Sequence, residues 1–172
     1  MLYFMNDSEV AQIIVRQYRA SLAMLKYVVE ACSEDLWLST NYHNRFWHVA
    51  YHALYYAHLY VQASEADFKP WARHQPNAQS LGPRPGTASE PVVLPVPYSK
   101  VEVLEYYELC CQEVAAKVPA ISFEAESGFS WLQFNRFEVH IYNLRHIEHH
   151  VGQLADRLRT ALNVGTPWVR MG

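Results

Sequence analysis

Three of the nine histidines fall within five residues, His146, His149 and His150. On a helix, side chains four residues apart are neighbours, so the imidazoles of His146 and His150 are able to converge on one metal ion. With His146 taken as zero on a helical wheel, His150 lies about 40° away and Gln153 about −20°, while His149 falls near −60°. The spacing places His146 and His150 on one stripe and turns His149 outward. Leu144, Ile147, Val151, Leu154 and Leu158 recur at intervals of three and four, and the two imidazoles lie along the edge of this apolar face.

A second histidine-bearing stretch, residues 46–60, carries His48, His52 and His58 among the four tyrosines Tyr51, Tyr55, Tyr56 and Tyr60 and the pair Phe46 and Trp47. His48, His52 and Tyr55 share one stripe at i, i+4 and i+7, and His58 lies about 80° from His48. One imidazole from this stretch joined to His146 and His150 makes three neutral nitrogen donors, with the remaining coordination positions left to water, the open arrangement of a catalytic metal site. Imidazole chooses only weakly among zinc, nickel, iron, manganese and cobalt. Each ligand must donate its other ring N–H to something, and Asn143, Gln153, Tyr142 and Tyr55 are candidates by helical register.

Other chemistries are excluded by spacing. A helical zinc protease needs Glu directly after its first histidine, but position 147 is Ile, and Glu148 projects about 200° from His146. Di-iron bundles need Glu-x-x-His pairs, of which the chain has none, and residues 41–64 hold no carboxylate. There is no phosphate-cradling glycine loop, no Gly-x-Ser-x-Gly elbow and no Cys-x-x-Cys-His haem attachment.

The elements that must position these groups follow from periodicity. Val10, Ile13, Ile14, Tyr18, Leu22, Leu25, Val29 and Cys32 predict a first helix, capped by Ser8 and ending near Cys32 and Ser33. A short connection holding Trp37 leads to a second helix, capped by Thr40 or Asn41 and running to about Ser64. From 67 to 97 the pattern is broken by Pro70, Pro76, Pro83, Pro85, Pro91, Pro95 and Pro97 with Gly82 and Gly86. Such a long connection reads as an ordered crossover from one end of the molecule to the other. Ser99 and Glu102 form a capping box that opens a third helix, with Leu104, Tyr107, Cys111, Val114 and Val118 buried and Pro119 at its end. After a loop around 123–130, a fourth helix starts near Trp131 or Phe134 and reaches Leu162, and Trp168 and Val169 of the tail dock on the bundle.

These expectations define an all-α fold, a four-helix bundle with an up-down-down-up path and a long crossover between helices 2 and 3, which sets helices 2 and 4 side by side. The 172 residues suit one domain spanning 1–172, long enough to bury its own core. A net charge of −3 without a Lys/Arg cluster argues against a nucleic-acid surface. Three cysteines, two of them the adjacent Cys110 and Cys111, do not make a disulfide framework and point to the cytoplasm. The start, residues 1–8, lacks the basic and apolar regions of a signal peptide, and no run is long enough to span a membrane.

Trp47-His48-Val49-Ala50-Tyr51-His52 and Arg145-His146-Ile147-Glu148-His149-His150-Val151-Gly152-Gln153-Leu154 resemble the DinB-like superfamily of metal-binding four-helix bundles, and the helix pattern with its crossover extends the likeness along nearly the whole chain. The resemblance implies one divalent transition metal per chain, zinc, nickel, iron or manganese, held by His48, His146 and His150. His52 falls where the family varies, and Val151 stands where an arginine often follows the paired histidines. It further implies a cytoplasmic homodimer and thiol chemistry with a low-molecular-weight thiol such as bacillithiol or mycothiol, that is, a metal-dependent thiol transferase of unspecified substrate with no nucleic-acid or membrane partner. The alternatives are a metal-stabilised bundle without turnover, whose ion would be closed off by a fourth ligand such as His74, and a dimeric scaffold without metal.

Overall fold

The computed structural model describes residues 6–82 and 95–172. The leader reading at Met1–Met5 and the crossover prolines Pro83, Pro85 and Pro91 with Gly86 lie outside the described residues. The fold is all-α: five helices, with no strand among the described residues and one isolated bridge between Glu126 and Asn135. No helix is long and apolar enough to cross a membrane among the described residues.

Helix α1, Asp7–Ala31, is opened by a capping box in which Asn6 Oδ1 accepts from the Glu9 amide and the Glu9 carboxylate accepts from the Asn6 amide. The cap is therefore Asn6, not Ser8, because Asn6 has its glutamate three residues on. The connection around Trp37 is itself a short helix, α2, Glu34–Leu38, capped by Ser33. The Trp37 indole is buried and donates to Tyr98 O at 2.8 Å, which ties α2 to the end of the crossover.

Helix α3, Phe46–Tyr60, starts later than Thr40 and Asn41 suggest and has no side-chain cap at Arg45. In the preceding segment the Asn41 amide is taken by Ser39 Oγ, and Arg157 donates to Asn44 O while its guanidinium lies over the Tyr42 ring. Those contacts hold 39–45 out of the helix. Twelve of the fifteen α3 residues are buried, so this is the central element.

Helix α4, Lys100–Lys117, begins with the expected box: Ser99 Oγ accepts from the Glu102 amide, and Glu102 accepts from the Ser99 amide at 2.8 Å. Its buried row is Val103, Tyr106, Cys110 and Val114, continued by Val118, one position before the predicted Leu104, Tyr107 and Cys111, which are half-buried. Both rows are apolar, and the crossover chooses between them. Trp71 stacks on the Tyr106 ring at 4.9 Å, and Tyr51 and Tyr98 close the same aromatic cluster.

Helix α5, Arg136–Leu162, is capped by Asn135 and ends at Asn163 in the left-handed region. It packs against α1 and α3, and α4 in turn touches both of those. Arg136 is buried, donating to Ser127 O at 2.6 Å and to Tyr60 O at 3.0 Å, so it clamps the loop before α5 onto the end of α3. Gly128 completes that clamp at φ +78, where a Cβ would stand 2.0 Å from Ala63 O. The tail lies on α1, where the Tyr27 hydroxyl donates to Gly165 O and Val169 is half-buried, but Trp168 is 76 % exposed and does not dock as expected.

Candidate metal centre

Helices α3 and α5 lie side by side, and their contact fixes which histidines meet. Asn143 Nδ2 donates to Ala57 O at 3.2 Å, and one turn or so further along α3 the His52 ring lies opposite His146 and His150. Nε2 of His52 and Nε2 of His146 are 3.1 Å apart, as are Nε2 of His150 and Nε2 of His146. The three residues offer ligand atoms within 4.8 Å of one another. Nitrogens bound at about 2.05 Å stand about 3.3 Å apart at tetrahedral angles and about 2.9 Å at right angles. The 3.1 Å separations fall between these values, so the group could hold a metal ion.

The structure brings together His146 and His150, as the spacing suggests, but does not add His48 to them. The third imidazole is His52. His48 and His52 stand about 6 Å apart along α3, and it is the His52 ring that meets both rings of the α5 pair. His48 is stacked on Trp47, with Nε2 at 3.0 Å from Ala78 O in the crossover.

The hydrogen bonds around the rings settle where the protons are. A carbonyl only accepts, so His52 Nδ1 donates to Gln79 O at 2.7 Å and the neutral ring keeps a bare lone pair on Nε2. His150 Nδ1 likewise donates to Gln153 Oε1 at 2.9 Å, leaving its Nε2 bare. Two lone pairs thus face Nε2 of His146, and one proton at most is available among the three nitrogens. Lone pairs aimed at one point are the state in which imidazoles bind metal, and the groups on the far ring nitrogens of His52 and His150 fix it, whereas Nδ1 of His146 is buried without a partner among the described residues.

Burial first, and the neighbouring rings second, push all three imidazoles down from the ordinary 6.5: His52 to about 2, His146 to about 3 and His150 to about 4. Burial also keeps the Tyr56 phenol neutral by raising its pKa, and its ring packs on His52 and His146 at 4.8 and 5.2 Å.

Of the four proposed orienting groups, Gln153 acts on a ligand. Asn143 is spent on Ala57 O, Tyr142 packs on Tyr60, and Tyr55 packs between Phe68 and His74. The Gln79 carbonyl was not foreseen, since a crossover backbone atom leaves no mark in side-chain spacing. His74 is not a fourth ligand: its Nδ1 is 2.7 Å from the Tyr51 hydroxyl. No other His, Cys, Asp or Glu joins the group among the described residues. His149 points outward, with Nε2 at 3.0 Å from Gln153 Nε2. The three cysteines are free and separate from the cluster, with Cys32 and Cys110 buried. No protein-family model, curated protein or solved structure matches the chain.

Proposed function

We propose that this protein binds one divalent transition metal through His52, His146 and His150 and uses the open coordination positions for thiol transfer, as a DinB-like enzyme. The observation that carries the reading is the convergence of three Nε2 atoms, two of them bare, with no fourth protein donor among the described residues. When bound, the ion supplies a Lewis acid that lowers the pKa of a coordinated thiol or water. The chain's own part is to hold the three imidazoles neutral and oriented. Gln79 O fixes His52, Gln153 fixes His150, and Tyr56 walls the rings.

Membership of that superfamily and the up-down-down-up path belong to the same proposal. Pairings support the path. Along α3 and α5, His52 meets His150 while Tyr60 meets Tyr142, and along α3 and α4, Tyr51 meets Tyr106 while Gln62 meets Glu113. Lys26 meets Glu108 while Lys100 reaches back to Cys32, and Tyr18 meets His140 while Tyr27 meets Gly165. Three free cysteines suit the cytoplasmic, reducing setting that a thiol co-substrate requires.

Elemental analysis of the purified protein tests the reading. About one transition metal per chain is expected, lost in His52→Ala, His146→Ala and His150→Ala and kept in His48→Ala, which is destabilised by about 2 kcal/mol or more through its lost packing and hydrogen bond. A wild type that takes up no zinc, nickel or manganese on dialysis removes the proposal. Metal lost in His48→Ala but kept in His52→Ala reverses the ligand assignment.

A further inference from the structure

Beside the cluster lies a cavity of about 250 Å³ lined by Tyr142, Arg145, His146 and His149. One of its lining residues, His146, is a candidate ligand, and none of them is acidic. Arg145 lies over the Tyr142 ring, with Cζ at 5.5 Å from the centroid, and makes no ion pair among the described residues. Arg73, by contrast, is engaged by Glu102 and Glu105.

The tautomer of His149 follows from the same chain of bonds that fixes His150. Gln153 Oε1 accepts from His150, so the Gln153 amide nitrogen donates to His149 Nε2, which leaves the N–H of that ring on Nδ1. The cavity is therefore bordered by a guanidinium, an imidazole N–H and a phenol, all able to donate. Donors without an acidic counterpart, around a planar guanidinium, are the recognition chemistry of a carboxylate.

We propose that this cavity receives a carboxylate of the small molecule that engages the metal, so the substrate or thiol co-substrate is an anion held by Arg145 with His149 and Tyr142. The proposal rests on the metal reading above. Arg145 and His149 touch the ligand; Gln153 is a positioning residue that holds both His149 and His150.

The test uses cobalt-loaded protein titrated with 3-mercaptopropionate and with its methyl ester, read by the visible absorption of the cobalt centre. The two share a thiol and a skeleton and differ in the carboxylate. The free acid is expected to bind about tenfold tighter than the ester, one charge-assisted contact's worth. In Arg145→Met the two should agree within about twofold with the ester unchanged, and Arg145→Lys should restore part of the preference as a point charge without the fork. Equal affinities in the wild type, or an undiminished preference in Arg145→Met, overturn the anion pocket alone. A wild type that takes up no cobalt overturns the metal reading and this proposal with it.

Discussion

Acidification from about pH 7.5 to about pH 5.5 separates a desolvated histidine site from an ordinary one. Three imidazoles titrating at the usual 6.5 would each be about ten-to-one protonated at the lower pH, and clearing three protons would weaken metal binding by about 1,000-fold. Here burial and the adjoining rings hold His52 at about 2, His146 at about 3 and His150 at about 4. All three stay neutral across that window, and competition from protons should change the dissociation constant by less than about twofold. Competition should begin only as the pH falls through the His150 value. The same shifts act on folding with a defined sign. The unfolded chain binds these protons below 6.5 and the folded one does not, so the metal-free protein loses stability as pH falls from there, by about 1.4 kcal/mol per unit for each histidine. Zinc affinity by chelator competition, with circular dichroism at each pH to follow the folded fraction, reads both effects. A loss of about 100-fold or more in affinity while the protein stays folded would refute the argument that desolvation keeps the ligands bare.

Two further perturbations probe the supports of the site. Gln153→Leu removes the acceptor that fixes the His150 tautomer and should weaken metal binding by about 10- to 100-fold, measured by the same competition; an unchanged dissociation constant would show that the ring needs no such partner. Gly128→Ala places a methyl group where Ala63 O stands and demands a positive φ, so it should lower the melting temperature by about 4 °C or more. Wild-type melting behaviour would mean that the loop and the Arg136 clamp accommodate the change.

What spacing reveals in this chain is what lies within one element. The i, i+4 relation of His146 and His150 is set by a single helix, and the two rings meet as the wheel requires. The Ser99 box is equally local, and it forms. Whatever depends on one helix's position against another is not encoded in period. The buried row of α4 is displaced by one residue because two adjacent apolar rows were available and Trp71, brought in by the crossover, stacks on Tyr106. The same ambiguity decides the third imidazole. His48 and His52 occupy one stripe of α3, so angle cannot distinguish them; the longitudinal offset of α3 against α5 and the contacts of the crossover together do. That offset is set by contacts remote from the histidines: Asn143 on Ala57 O, and Arg136 on Tyr60 O at the far end of α3. Reading outward from those anchors, the numbers of facing residues sum to roughly constant values in two oppositely running helices, which sets both His48 and His52 within a turn of the pair; His52 is the one whose ring meets both partners, while His48 is drawn off to the crossover. The crossover then uses the displaced histidine, taking Ala78 O to His48 and Gln79 O to His52. Two successive carbonyls of one loop thus give two histidines of one stripe different work, the first anchoring the crossover and the second presenting a bare nitrogen to the site.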